Sequence, residues 1–214
     1  MVDVVQHFED GTANPAWLRM RAGKLTGSRF ADLMAKGRAG APSTSRANLL
    51  TTLAVERLTG ECVEVFVNAA MARGTELEPK ARSAYEANAG VLVEEVGFVA
   101  STELEFVGVS PDGLVDDVGL VEFKCPSAMA RHLDALTDGT HAKDYAWQIQ
   151  GQLWVTGREW CDAVSFDDRF PPDFQLAITR VYRDEAAIDR LREECIRANA
   201  EVEAIVARLL EMRK

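Results

Sequence analysis

The chain has 214 residues, 47% of them hydrophobic, which is enough for one domain over residues 1–214 with a sizeable core. Acidic residues outnumber basic ones by 34 to 24, so the formal net charge of −10 argues against a protein that merely coats DNA. No segment approaches the roughly 20 apolar residues of a membrane span. The first residues lack the pattern of a signal peptide, so we expect a cytoplasmic protein without membrane contact.

The cysteines and histidines do not form a metal-binding pattern. The four cysteines, at positions 62, 125, 161 and 195, are widely separated and include no Cys-x-x-Cys pair. The three histidines, at positions 7, 132 and 141, also lack the spacing of metal ligands. We therefore expect four reduced thiols and neither a zinc ribbon nor an iron–sulfur cluster.

The N-terminal part of the chain is predicted to be mainly helical. Asn14-Pro15 is typical of a helix start, and Thr26 and Ser28 offer capping hydroxyls before a second helical segment. Residues 36–42 form a basic, glycine-containing loop. Helices are predicted from 15 to about 21, around 30–34, from 45 to 58 before Gly60, and from 71 to 88 before Gly90.

Short strands follow, and helices return near the C-terminus. Strands are predicted at 91–93, 98–100, 105–109, 113–115, 120–124, 160–166 and 174–181. Helices are predicted after Pro126, from 145 to 155 before Gly157, and from 184 to 212 as a long amphipathic segment. This order predicts an α/β or α+β fold in which one central mixed β-sheet is flanked by helices.

One pair of strands carries a pattern of acidic and basic side chains. Ser110-Pro111-Asp112-Gly113-Leu114 is followed, ten positions after the aspartate, by Glu122-Phe123-Lys124. Because side chains alternate along a strand, Glu122 and Lys124 emerge on one side, and a hairpin brings Asp112 to the same place. Two carboxylates would repel each other unless a hard cation lay between them, and Mg²⁺ prefers oxygen ligands of this kind. The ammonium of Lys124 supplies positive charge where a scissile phosphate gathers negative charge, so the pattern predicts phosphodiester hydrolysis.

Four blocks of sequence resemble one family in the same order. They are residues 17–28, residues 73–78, the two motifs around Asp112 and Glu122, and residues 147–156. The chain resembles the lambda-type alkaline exonucleases, which are the YqaJ-like viral recombinase nucleases of the PD-(D/E)xK superfamily. The resemblance spans roughly residues 15–160 and implies the restriction-endonuclease-like core of that superfamily.

The resemblance implies roles for the residues around the two motifs. Asp112 and Glu122 match the metal-binding acids, Lys124 the catalytic lysine, and the Phe123 carbonyl a backbone ligand. Glu78 matches a helical acid that completes the metal site. Gln150 matches a glutamine that contacts the active site from the following helix. Two Mg²⁺ ions are implied, one near Glu122 and one near Glu78, and Mn²⁺ is expected to substitute.

The resemblance also implies a DNA-binding surface. Arg21, Ser28 and Ser110 match a pocket for the terminal 5′-phosphate. Arg38 matches an arginine that contacts DNA near its end, and Met71 takes the position of an apolar wedge. The implied substrate is linear double-stranded DNA, digested from its 5′ end by a homotrimer that works with a single-strand annealing protein of phage type.

Alternative interpretations of these residues remain open. An acidic nuclease can bind DNA if its positive charge is concentrated, and seven basic residues lie close together in the sequence, at positions 19, 21, 24, 29, 36, 38 and 46. They could equally be ordinary solvated charges.

Trp147 and Trp154 are expected in the core rather than as base-stacking platforms. The alternative functions are a site-specific endonuclease and an inactive DNA-end-binding protein. An endonuclease would cut closed circular DNA, whereas an exonuclease would not. An inactive end-binding protein would release no nucleotides in the presence of Mg²⁺.

Overall fold

The computed structural model describes residues 8–9, 12–37, 43–63 and 69–213. Its strands are β1 (Phe8–Glu9), β2 (Thr12–Ala13), β3 (Leu25–Thr26), β4 (Val93–Glu94), β5 (Val99–Ala100), β6 (Val107–Val109), β7 (Gly113–Val115), β8 (Gly119–Lys124), β9 (Trp160–Phe166) and β10 (Leu176–Tyr182). Its α-helices are α1 (Pro15–Arg21), α2 (Phe30–Met34), α3 (Thr44–Thr59), α4 (Ala69–Ala89), α5 (Met129–Asp138), α6 (His141–Asp144), α7 (Ala146–Thr156) and α8 (Glu185–Glu211). A 3₁₀ turn, Gly27–Arg29, joins β3 to α2.

A mixed five-stranded sheet lies at the centre of the fold, with the strand order β10-β9-β8-β7-β4. Strands β8 and β9 are parallel, and the other neighbours are antiparallel. The β8 strand is buried from Gly119 to Phe123, as expected for a central strand covered on both faces. This sheet confirms the predicted mixed architecture.

A second sheet contains strands that were expected in the first. It has the order β3-β6-β5, with β3 parallel to β6 and β5 antiparallel to it. The expectation of one sheet is therefore corrected: these two sheets are separate, and β1 and β2 pair in a third, two-stranded sheet. The chain connects the five-stranded and three-stranded sheets through Ser110, Pro111 and Asp112, between β6 and β7. The β3 strand was not predicted, because its two residues read as a helix cap and its pairing partner, β6, lies some eighty residues further along the chain.

A tight hairpin joins β7 to β8. Gly113 pairs with Val121 and Val115 pairs with Gly119, so the two strands are held in one register. Asp116 turns the chain in the left-handed region, with φ of 46°, in agreement with the predicted hairpin turn at Asp116 and Asp117. The guanidinium of Arg158 donates to the carbonyls of Val115, Asp116 and Gly119 and so closes the turn.

The main helical core surrounds α8. Buried side chains of α2, α3, α7 and α8 pack with those of β3 and β6, and they include Phe30, Leu53, Trp154, Ile188 and Leu191. The predicted helix at 184–212 is confirmed, but its last turns are less buried than an amphipathic pattern implies, since Ile205, Leu209 and Leu210 are exposed. Trp154 lies in this core and Trp147 packs against it, as predicted. All four cysteines are free thiols.

Local signals placed most helix ends correctly. The α3 and α7 helices end at Gly60 and Gly157, both in the left-handed conformation that favours glycine. The helix predicted from 71 to 88 spans Ala69–Ala89. Among the helices in the described segments, none combines the length and apolarity needed to cross a bilayer.

A buried ion pair attaches the N-terminal segment to α3. Glu56 is fully buried and accepts from the guanidinium of Arg29 at 2.5 and 2.8 Å, and from the backbone N–H groups of Gly23 and Val63 at 2.9 and 3.1 Å. Burial opposes the charged form of Glu56, but the hydrogen bonds and charge of Arg29 outweigh it and lower the pKa of Glu56. The carboxylate of Glu56 therefore holds three segments together: the chain after α1 through Gly23, the 3₁₀ turn through Arg29, and the chain after α3 through Val63.

We predict that Glu56→Gln lowers the free energy of unfolding by about 3 kcal/mol at pH 7, because it leaves the guanidinium of Arg29 without its partner. Since the pKa of Glu56 is lower in the folded state, its stabilisation is complete above the ordinary pKa of 4.5 and is lost as the pH falls through the folded value. Urea unfolding at pH 7 to 3 should show the difference between parent and variant narrowing below that pH. The exposed Glu61→Gln should change stability by less than about 0.5 kcal/mol. A difference that stays constant with pH would contradict the prediction.

Candidate active site

The candidate site begins with two side chains on one face of β8. Glu122 and Lys124 are two residues apart, so they emerge on the same side of the strand. The Nζ atom of Lys124 lies 2.5 Å from Oε1 of Glu122, which agrees with the predicted convergence. The Glu122 side chain is only 2% exposed, so this ammonium is one of the groups that compensate a buried carboxylate.

The β7–β8 hairpin brings Asp112 to the same place. Asp112 precedes the Gly113–Val121 pair, so the register puts it opposite Glu122. Its Oδ2 atom accepts a hydrogen bond of 2.7 Å from the backbone N–H of Phe123, between Glu122 and Lys124. The structure thus gathers the three residues of the predicted catalytic motif.

A cavity of about 410 Å³ opens beside these residues. Its lining combines one edge of α4 with the ends of β7 and β8, and consists of Ala70, Gly74, Glu78, Asp112, Phe123, Lys124, Cys125, Pro126 and Tyr145. The ring of Tyr145 lies 4.5 Å from the Nζ atom of Lys124. Glu78, predicted from the resemblance alone, therefore shares a cavity with Asp112 and Lys124.

Negative charge exceeds positive charge around this cavity. Burial raises the pKa of Asp112 well above its usual value, and the neighbouring carboxylates of Glu122 and Glu78 raise it further. Burial likewise raises the pKa of Glu78, against the opposing charge of Arg82. Burial works against the charged ammonium of Lys124, but Glu122 and Asp112 outweigh it and raise the pKa of Lys124. The acids repel one another while holding the lysine charged.

The donor set suits a hard divalent cation. Carboxylate oxygens of Asp112, Glu122 and Glu78 interact electrostatically around one cavity, and their repulsion is of the kind that a cation relieves. Within the described segments, no group of three or more His, Cys, Asp or Glu side chains is already arranged as a metal cage. Instead, Glu122 is held by hydrogen-bond donors, and Asp112 by the backbone of β8.

Two glutamines of α7 complete the surroundings of Glu122. Gln148 Nε2 donates to Glu122 Oε1, and Gln152 Nε2 donates to Glu122 Oε2 at 2.6 Å. They are four residues apart and therefore share one face of the helix. The sequence did not single out either residue for this role, although the i, i+4 spacing of like amides was visible.

The expected contact of Gln150 with the active site is wrong. Its amide donates to the carbonyl of Tyr182 and accepts from the N–H of Asp184, both at 2.9 Å. Gln150 lies two residues from Gln148 and from Gln152, so the helix turns it to a different side. It holds the connection between β10 and α8, and Gln148 and Gln152 are the glutamines that reach Glu122.

Gly151 allows α7 to come close enough for these contacts. A methyl group at this position would lie 2.1 and 2.4 Å from two ring carbons of Phe30 on α2, distances that real side chains do not reach. The helix can therefore approach the Phe30 ring only where it carries a glycine. This close approach fixes the face of α7 that bears Gln148 and Gln152.

The residues predicted to bind the terminal 5′-phosphate lie close together. The guanidinium of Arg21 donates to the hydroxyls of Thr26 and Ser28 at 3.3 and 3.4 Å and stacks 4.1 Å from the ring of Trp17. The indole N–H of Trp17 donates to the hydroxyl of Ser110 at 3.2 Å. Arg21, Ser28 and Ser110 are thus brought together, and Trp17 and Thr26 are additions that the sequence analysis did not identify.

No carboxylate among the described residues forms a salt bridge with Arg21, although the charge of Glu56 acts on it from a longer distance. Burial and the charge of Arg29 lower the pKa of Arg21 to about 10, so it remains protonated near neutral pH. A desolvated guanidinium beside hydroxyl groups matches the geometry of a phosphate group. The pocket lies near the acids, since Ser110 is two residues before Asp112 and Gly27 lies beside Gln148.

Other predicted DNA contacts are only partly accounted for. Arg38 and the side chain of Met71 lie outside the described residues.

Two of the seven basic residues near the N-terminus form ion pairs within the fold. Arg29 binds Glu56, and Arg46 binds Glu194 and Glu201 of α8 at 2.7 and 2.8 Å. Those two are largely buried in ion pairs, so they fit neither a DNA-facing surface nor the alternative of ordinary solvated charges.

Similar solved structures define the class of protein. An alkaline exonuclease (LHK-Exo) from Laribacter hongkongensis matches with a TM-score of 0.84 and 42% identity over 92% of this chain and 97% of that chain. LHK-Exo in complex with dAMP matches with a TM-score of 0.85 at the same identity and coverage. A phage related exonuclease from Haemophilus somnus 129PT shares the fold, with a TM-score of 0.74 and 17% identity over 87% and 96% of the two chains. The fold is that of the PD-(D/E)xK-like nucleases, as predicted.

The family follows from the sequence match. Residues 16–159 match the model of the YqaJ-like viral recombinase domain. The chain belongs to this family, which confirms the resemblance and makes it a nuclease. Among curated proteins, no similar sequence is found.

We predict that Gly151→Ala destabilises the protein by about 1–3 kcal/mol, because the added methyl group overlaps the Phe30 ring. The helix must then move, and the rate of DNA hydrolysis should fall as Gln148 and Gln152 lose their positions. Chemical denaturation and a nuclease assay measure the two effects. Combining Gly151→Ala with Phe30→Leu should recover part of the lost activity. An unchanged midpoint of unfolding for the single variant would be inconsistent with the packing described.

Proposed function

We propose that this chain is a Mg²⁺-dependent 5′-to-3′ exonuclease that digests linear double-stranded DNA and leaves 3′ single strands for recombination by annealing. One observation carries the proposal: a cationic pocket of Arg21, Ser28 and Ser110 lies two residues along the chain from the acid Asp112. The names of the similar structures support it, since LHK-Exo is an alkaline exonuclease and was solved with dAMP.

Asp112, Glu122 and the carbonyl of Phe123 would hold one divalent ion, and Glu78 with Asp112 a second. When bound, such ions lower the pKa of an attached water and neutralise charge on a phosphate. Mg²⁺ is the ion proposed, and Mn²⁺ should substitute because it also accepts carboxylate and carbonyl oxygens. Glu78, Asp112 and Phe123 all line the same cavity, and Glu122 lies beside them.

The chain's own groups would prepare the reaction. Lys124 is held between Glu122 and the ring of Tyr145, so its ammonium has a fixed place at the cavity. There it can orient the attacking water and stabilise the negative charge that develops on the phosphorane. Gln148 and Gln152 hold Glu122, and the backbone of Phe123 holds Asp112, so both acids are preorganised.

The phosphate pocket would determine polarity. A terminal 5′-phosphate bound by Arg21 and the hydroxyls of Ser28 and Ser110 places the first internucleotide phosphate toward the acids. Anchoring at the 5′ end favours removal of nucleotides from that end. A site-specific endonuclease would have no use for a pocket that binds a terminal phosphate.

We extend the proposal to assembly and partners. A homotrimeric ring could gather basic residues on an inner wall, which would reconcile a net charge of −10 with a DNA substrate. A single-strand annealing protein would receive the 3′ strand that the reaction exposes. Both statements are supported only by the resemblance to the family, and sedimentation analysis tests the first.

The polarity is tested with end-labelled duplexes that carry or lack a 5′-phosphate. We predict faster digestion of phosphorylated ends, shortening of the 5′ strand only, and no cutting of closed circular DNA. In Arg21→Gln, the preference for phosphorylated ends should fall by about tenfold or more, because a charge-assisted contact is lost. Arg19→Gln, an exposed change on the same helix, should keep the preference. Cutting of closed circles at a comparable rate would favour the endonuclease instead.

We predict that Lys124→Ala reduces DNA hydrolysis by at least about 10³-fold, because the reacting phosphate loses its fixed cation. DNA binding, measured by fluorescence anisotropy without divalent ions, should change little. Lys143→Ala, an exposed lysine on α6, should cut at the parental rate. Parental activity in Lys124→Ala would show that the catalytic site lies elsewhere.

A further inference from the structure

The side chain of Gln152 is the one amide on α7 that is both completely buried and bonded to an acid of the candidate site. It is 0% exposed, and its Nε2 atom lies 2.6 Å from Oε2 of Glu122. Its own Oε1 atom is buried and has no hydrogen-bond partner. The amide therefore satisfies the carboxylate while leaving one of its own atoms unsatisfied.

The orientation of this amide is determined by Glu122. Turning the group over would place the carbonyl oxygen of Gln152 against a carboxylate oxygen, and two acceptors would repel each other. With the N–H toward Glu122, the hydrogen bond is charge-assisted and therefore strong. The buried carbonyl is the cost of this arrangement, since an unsatisfied buried acceptor is unfavourable.

Packing alone does not account for a glutamine here. The adjacent residues on α7, Ile149 and Leu153, are fully buried in an apolar cluster with Leu120 and Cys161. An apolar residue of similar volume, such as methionine, would fill this position without an orphaned carbonyl oxygen. The feature that requires an amide is the buried oxygen of Glu122.

The two oxygens of Glu122 are held in different ways. Oε2 is held by Gln152, from inside the core. Oε1 is held by Lys124 and Gln148, which are both partly exposed, and Lys124 lines the cavity. Gln152 thereby keeps Oε2 in the core and leaves Oε1 as the oxygen on the side of Lys124 and the cavity.

We propose that Gln152 is a positioning residue for divalent-cation binding: it holds Glu122 by Oε2 and so presents Oε1 to the ion. This inference rests on the proposed function, because it assumes that Glu122 is a ligand. Groups that orient a ligand from behind typically contribute about 10–100-fold to metal affinity or activity.

The test compares Gln152→Met with Gln150→Met in the full chain. Mn²⁺ binding is measured by isothermal titration calorimetry without DNA, and Mn²⁺-dependent hydrolysis is measured over a range of Mn²⁺ concentrations. Gln152→Met should weaken Mn²⁺ binding by about 10–100-fold. The Mn²⁺ concentration for half-maximal rate should rise in parallel, and saturating Mn²⁺ should restore most of the rate.

Gln150→Met is the matched control, because Gln150 has the same chemistry on the same helix but bonds the backbone of Tyr182 and Asp184. It should lower the midpoint of thermal unfolding and leave Mn²⁺ affinity at the parental value. If Gln152→Met fails to fold, Gln152→Asn serves, since it keeps an amide but withdraws the donor by one methylene. Gln152→Asn should also bind Mn²⁺ more weakly than the parent.

Two outcomes would overturn the inference while leaving the proposed function intact. In one, Gln152→Met or Gln152→Asn binds Mn²⁺ as tightly as the parent. In the other, both the Gln152 and Gln150 variants lose affinity equally, which would indicate general loosening of α7. A parent protein that neither binds Mn²⁺ nor cuts DNA would instead remove the proposed function, and the role of Gln152 with it.

Discussion

A carboxylate that is almost completely buried needs donors for both oxygens, and this requirement at Glu122 organises the centre of the molecule. The strand that carries Glu122 also supplies Lys124, and α7 supplies two amides. For those amides to reach the strand, α7 must pack tightly on α2, which Gly151 permits. Through this chain of contacts, the helical core around α8 and the acids of the central sheet depend on each other.

Much of the fold could be predicted because its signals are local. Gly60 and Gly157 end helices through their own backbone conformations, and the hairpin after Val115 follows from its turn residues. The separation of the three-stranded sheet from the five-stranded sheet could not be predicted in this way. It depends on the pairing of β3 with β6, which lie some eighty residues apart in the sequence, and the two residues of β3 give no periodicity to detect.

In the candidate site too, features set by local sequence could be predicted, and features set by long-range packing could not. The period of two along β8 placed Glu122 beside Lys124, and the hairpin register placed Asp112 opposite Glu122. The choice among three glutamines on α7 depends on how that helix is rotated in the fold, and the family resemblance selected the one that faces away. Likewise, the sequence gives the charge of Arg29 and Arg46 but not the distant carboxylates that bind them.

The short link between the three-stranded and five-stranded sheets has a consequence for how far from the bound strand end DNA would be cut. Ser110, which is proposed to bind the terminal phosphate, and Asp112 of the acid cluster are separated by Pro111 alone, whose ring restricts the backbone. Under the proposed roles, the span from an anchored strand end to the point of attack is a fixed backbone length rather than an adjustable loop. The fragment size released in each cycle would then be a property of the main chain, insensitive to base identity, and changed most directly by inserting or deleting a residue in this link.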